Sequence, residues 1–99
     1  MNISDMKEAA TRASLLMKAL SNETRLLLLC QMNEGEISVS ELAETLELRP
    51  SSVSQQLGLL RKDGLVRTRR DGQTIYYSLE GEEAKQVIST LYELYCQTP

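Results

Sequence analysis

The segment Ser38–Leu79 constrains the fold more than any other part of the chain. Val39–Leu46 (VSELAETL) is a short amphipathic run with its apolar residues Val39, Leu42, Ala43 and Leu46 at helical spacing. Ser38 precedes it and Glu41 follows three residues later, the pattern of a capping box. Glu47–Arg49 is too short to be anything but a turn. Pro50 then stands at the first position of a second helix, where its missing N–H costs nothing. That helix, Pro50–Lys62 (50–63 with its stop), buries Val53, Leu57 and Leu60. Its opposite face holds Ser51, Ser52, Ser54, Gln55 and Gly58, all small or amide residues. Asp63-Gly64 stops the helix. The next stretch, 65–79 (LVRTRRDGQTIYYSL), is rich in strand formers around Asp71-Gly72, a hairpin turn signal.

Charge gives this layout a purpose. The chain of 99 residues carries a net −3. Arg49–Arg70 nevertheless holds six basic residues (Arg49, Arg61, Lys62, Arg67, Arg69, Arg70) against Asp63 alone, a net +5, while the remainder is −8. A basic block inside an acidic protein concentrates attraction for phosphate on one surface. Two short helices joined by a tight turn and followed by a basic hairpin form a winged helix-turn-helix, and double-stranded DNA is the partner its charge fits. Gln can pair bidentately with adenine and Ser can reach phosphates or bases. Ser51, Ser52, Ser54, Gln55 and Gln56 are therefore the expected readers on the second helix. Gln56 neighbours the buried stripe and could instead brace the helix. Arg69, Arg70 and Gln73 are the expected contacts of the wing.

The flanks are helical. In 4–20, Met6, Ala9/Ala10, Ala13, Leu16/Met17 and Leu20 make one apolar stripe, with Ser4 or Asp5 as cap. The second helix, 23–33, begins after Ser21-Asn22 and carries Leu26–Cys30, the longest apolar run, so it is expected to be buried. The last helix, 82–96, has Ala84, Val87/Ile88, Leu91 and Leu94/Tyr95 on one side. The expected architecture is one domain over 1–99, mostly α with a small β-hairpin wing and five helices. The first and last helices make a reasonable dimer interface. No run approaches the roughly 18 apolar residues of a membrane span, and the N-terminus lacks an export signal. A cytoplasmic location follows as the expectation, in which the two cysteines, Cys30 and Cys96, default to thiols. There is no Cys-x-x-Cys and no histidine, so a thiol oxidoreductase or another enzyme is not expected.

The order of elements resembles the ArsR family of bacterial winged-helix repressors. So do ALSNETRLLLL (Ala19–Leu29), SVSELAETLELRPSSVSQQLGLLRKDGLV (Ser38–Val66) and RRDGQTIYYSL (Arg69–Leu79). The likeness implies a homodimer paired through the first and last helices, seated on an imperfect palindrome and released by an inducer. Metalloid-sensing members carry Cys-Val-Cys where this chain has Ser38-Val39-Ser40, and zinc-sensing members use Asp and His on the last helix. With two thiols and no imidazole, no closed zinc site within one chain is expected and no cofactor is implied. A soft-metal site from Cys30 and Cys96 stays open as an alternative. The contexts LLLLC and LYELYC resemble the sulfide-responsive subgroup, the BigR, SqrR and HlyU type. That resemblance implies that Cys30 and Cys96 are sensing thiols. Reactive sulfur would join them as a disulfide or polysulfide and weaken operator binding. General redox sensing, and an activator that displaces other proteins from DNA, use the same frame.

A thiolate is the reactive form, and neither cysteine has a cation or helix N-terminus beside it in sequence. Cys96 lies at a helix C-terminus, where the dipole opposes negative charge, and burial would oppose it at Cys30. The pair is thus expected to favour a reactive sulfur donor over peroxide.

Overall fold

The computed structural model describes residues 2–96. Helix α1 is Ile3–Leu20 and α2 is Glu23–Gln31. A 3₁₀ turn at Met32–Glu34 leads to β1 (Ile37–Ser38), then α3 (Val39–Leu46), α4 (Pro50–Lys62), β2 (Val66–Asp71), β3 (Thr74–Leu79) and α5 (Glu82–Tyr95). The five helices and the wing stand as the sequence leads one to expect.

The ends of the elements follow from local chemistry. The Asn2 side chain accepts the Asp5 N–H at 2.8 Å and so caps α1, in place of the expected Ser4 or Asp5. Asn22 caps α2 by accepting the Arg25 N–H at 3.0 Å. At α3 the capping box is complete: Ser38 Oγ accepts the Glu41 N–H at 3.2 Å, and the Glu41 carboxylate accepts from Ser38 N–H and Oγ. Helix α4 closes with Gly64 N–H on the Arg61 carbonyl and Leu65 N–H on the Leu60 carbonyl, with Gly64 at φ 76°.

The core gathers one stripe from each inner element. Leu28 and Leu29 of α2, Leu42 of α3, Val53, Leu57 and Leu60 of α4, and Ile88 of α5 are almost wholly removed from solvent, with Val66 and Leu79 closing the base of the wing. Helix α2 is less buried than its composition suggests. Four successive leucines at 100° steps cannot all face one side, so Leu28 and Leu29 turn inward while Leu27 faces solvent. The flanking helices are more exposed still. In α1 only Ala19 and Leu20 are buried, and Ile3, Met6, Leu15 and Met17 lie open, as do Leu94 and Tyr95 at the end of α5.

The sheet has three strands in the order β1-β3-β2, all antiparallel. The two residues of β1 carry no strand pattern of their own, and only their pairing with Tyr76 and Tyr77 makes them a strand. The hairpin turns one residue later than Asp71-Gly72. Asp71 pairs with Thr74, leaving Gly72-Gln73 as the two-residue loop. Gly72 has φ 64° and Gln73 does not have positive φ, the pattern of a type II′ turn with Gly at its first central position. The one-residue difference sets Arg69 opposite Tyr76 and Arg70 opposite Ile75.

Candidate DNA interface and thiol pair

On α4 the buried stripe Val53, Leu57 and Leu60 leaves Ser51, Ser52, Ser54, Gln55 and Gly58 exposed together. Nothing lies within 4 Å of where a Gly58 Cβ would be, so this face is open to a flat partner. Gln56 is half-buried, and its Oε1 is enclosed without a hydrogen-bond partner. Its carbonyl end is therefore turned toward the protein. Arg49 before α4, and Arg61 and Lys62 in its last turn, are exposed.

The three wing arginines divide by partner. Arg67 lies 3.6 Å from the Glu80 carboxylate and donates to Ser78 Oγ. Arg69 is gripped by Glu36. Its Nε donates to both carboxylate oxygens at 3.1 and 3.0 Å, and its Nη2 donates to Oε1 at 2.6 Å. The guanidinium also lies over the Tyr76 ring, 4.9 Å from its centroid. The hydrogen bond from Arg69 holds the Glu36 carboxyl below its ordinary value and raises the guanidinium in return. Arg70 has only a carbonyl, that of Gly72 at 3.1 Å, so among the described residues its charge is not paired with a carboxylate. Gln73 is exposed at the loop. Glu36 and Tyr76 were not singled out from sequence. Tyr76 follows from the hairpin register once the turn is placed correctly, whereas Glu36 meets Arg69 only through the tertiary fold.

Cys30 occupies the last turn of α2 and is half-buried against the core. Cys96 caps the C-terminus of α5, is exposed, and donates its N–H to the Tyr92 carbonyl at 2.9 Å. Both are free thiols. Burial pushes the Cys30 thiol above its ordinary 9.0, and the charge of Cys96 pushes it further in the same direction. The two residues, far apart in sequence, lie on α2 and at the end of α5, helices that pack together. In the turn that follows α2, Asn33 Oδ1 accepts from Ser89 Oγ of α5 at 2.9 Å.

No cluster of three or more His, Cys, Asp or Glu among the described residues is arranged to hold a metal ion. At the start of α3 Ser38 is a buried helix cap, and Ser40 is exposed. No helix among the described residues is long and apolar enough to cross a membrane.

The profile of the bacterial regulatory protein, arsR family, matches residues 22–68. The transcriptional activator HlyU of Vibrio cholerae is 46% identical over 97 residues, covering 98% of this chain and 90% of HlyU. This chain belongs to the ArsR family. Reduced HlyU from Vibrio cholerae superposes with a TM-score of 0.91 at 45% identity, covering 96% of this chain and 100% of that one. The transcriptional repressor BigR from Xylella fastidiosa superposes with a TM-score of 0.86 at 40% identity, covering 99% and 100%. The ArsR-family chain is thus a DNA-binding transcriptional regulator and not an enzyme.

Proposed function

We propose that this regulator is a homodimeric repressor that senses reactive sulfur through Cys30 and Cys96 and releases operator DNA when the two are bridged. The observation that carries the reading is the thiol pair itself: two free cysteines, one in the last turn of α2 and one at the end of α5, on helices that pack against each other.

The chemistry suits a sulfane-sulfur donor. The exposed Cys96 thiolate attacks the outer sulfur of a persulfide RS–SH. The S–S bond breaks, RS⁻ leaves and takes a proton, and Cys96 becomes a persulfide. Cys30 as thiolate then attacks the Cys96 Sγ and expels HS⁻. Two thiols and one RSSH give a disulfide, RSH and H₂S. A second donor molecule adds one more sulfur to Cys96 before closure and leaves a trisulfide. The raised pKa of Cys30 makes it a poor first nucleophile and assigns it the resolving step. The covalent bridge itself limits the separation of the α2 and α5 ends, and closing so long a loop restricts the unfolded chain by about 4 kcal/mol in the entropy model.

DNA is read by Ser51, Ser52, Ser54 and Gln55 on α4 and by Arg70 and Gln73 on the wing, with Gln56 and Arg69 supporting them from behind. The open apolar faces of α1 and α5 supply the dimer contact. The test is operator binding before and after persulfide treatment, with mass spectrometry of both thiols. The expected result is a loss of about tenfold or more in affinity for the native protein, and none for Cys30→Ser or Cys96→Ser. Unchanged affinity with sulfur added to both thiols would sink the proposal. HlyU is described as an activator, which favours a second output from the same switch, and the position of the operator relative to the promoter separates the two.

A further inference from the structure

Between Cys30 and the wing lies a segment that touches both halves of the proposed switch. Helix α2 ends one residue after Cys30 and runs into the 3₁₀ turn Met32–Glu34. Met32 is 2% exposed and anchors the turn in the core. Asn33 accepts a hydrogen bond from Ser89, on the same helix that ends at Cys96. Gly35 follows at φ 138° and ψ −170°, a backbone region essentially reserved for glycine, and its N–H donates to the Met32 carbonyl at 3.1 Å. Glu36 then takes three hydrogen bonds from Arg69, whose guanidinium is also stacked on Tyr76. The next two residues enter the sheet opposite Tyr77 and Tyr76.

We propose that Glu36 is the positioning residue that carries the state of the thiol pair to the DNA-reading wing, through a strut formed by residues 32–36. This rests on the thiol-switch reading. The strut is clasped to α5 at Asn33 and to the wing at Glu36. Between these points the buried Met32, and the Gly35 N–H held on the Met32 carbonyl, tie the turn together, so a displacement of the α2 terminus passes to the Glu36 carboxylate. A hydrogen bond tolerates only a few tenths of an ångström before it weakens. A bridge that draws the ends of α2 and α5 together therefore loosens the grip on Arg69, and the wing loses a tie that supplements its buried base and its pairing with β1. Arg69 contributes to operator binding by holding the wing in place, through Glu36.

The experiment compares operator affinity of reduced and persulfide-bridged protein for the native chain, Glu36→Gln, Glu36→Ala and Asn33→Ala, with intact mass confirming the extent of bridging in each. Glu36 is exposed, so its substitutions leave the core intact. Bridging is expected to proceed equally in all four proteins. The ratio of reduced to bridged affinity, large in the native chain, should fall by about fivefold or more in both Glu36 variants and in Asn33→Ala. If the native chain loses affinity on bridging and the three variants lose it equally, the strut is overturned and the switch stands. If the bridged native chain binds as well as the reduced one, the switch fails and the strut with it.

Discussion

Glu47, in the turn between α3 and α4, has φ 56° and ψ 45°, the left-handed conformation that side chains with a Cβ avoid. Its N–H closes the end of α3 on the Glu44 and Ala43 carbonyls. Glu47→Gly removes the Cβ conflict and adds freedom to the unfolded chain. The net expectation is a gain of about 0.5–1 kcal/mol, seen as a rise of several degrees in thermal midpoint with operator binding retained. Cys30 makes a prediction of opposite kind. Its thiol is raised in the folded state, so as pH rises the unfolded chain sheds the proton first, and deprotonation favours unfolding. The contribution is complete below the ordinary 9.0 and is lost as pH climbs through the raised folded value. Urea midpoints of the native chain should therefore fall relative to Cys30→Ser only above pH 9.0. The capping box at Ser38 and Glu41 could be read directly from the chain because a cap is a local contract between residues three apart. The Glu36–Arg69 pair could not, because nothing local relates residues 33 apart in sequence.

At the scale of elements, the proposed roles of α4 and the wing in binding DNA rest on different physics. Gln55 is exposed on the open face of α4, where bidentate contact with a base edge is worth about 1–3 kcal/mol of discrimination. Gln55→Ala is expected to weaken the operator and leave random DNA almost unchanged, as measured by competition binding. Arg70, whose charge no carboxylate neutralises among the described residues, is our proposed phosphate contact. Arg70→Ala should weaken every sequence alike and reduce the slope of log affinity against log salt by about 0.9. The helix-turn-helix was legible in the sequence because its stripe, caps and stop signals are all local. The wing was legible in kind but not in phase: Asp71-Gly72 suggests a turn centred on itself, while strand pairing moved the loop to Gly72-Gln73. The third strand was not legible at all, since two residues between a turn and a helix carry no periodicity.

For the whole molecule, the decisive quantity is the apolar surface that one chain leaves uncovered. Leu15 and Met17 of α1 are 65% and 63% exposed, and Leu94 and Tyr95 of α5 are 69% and 81% exposed. The stripe expected on α1 is present, but its own core takes up only the last turn. In the homodimer we propose, a second copy buries the remainder. Leu15→Glu combined with Leu94→Glu should leave helix content unchanged, halve the mass seen by light scattering, and abolish tight operator binding, because two half-sites a helical turn apart need two linked readers. Retention of the dimer would move the interface elsewhere. The two thiols have one more consequence at this scale. They stand on either side of α3, α4 and the wing, so a bridged protein is a closed ring over residues 30–96, with α1 and most of α2 outside it. In a single-molecule pulling experiment the reduced chain should extend to its full contour. The bridged chain should fall short by roughly 200 Å, the length of polypeptide locked inside the ring.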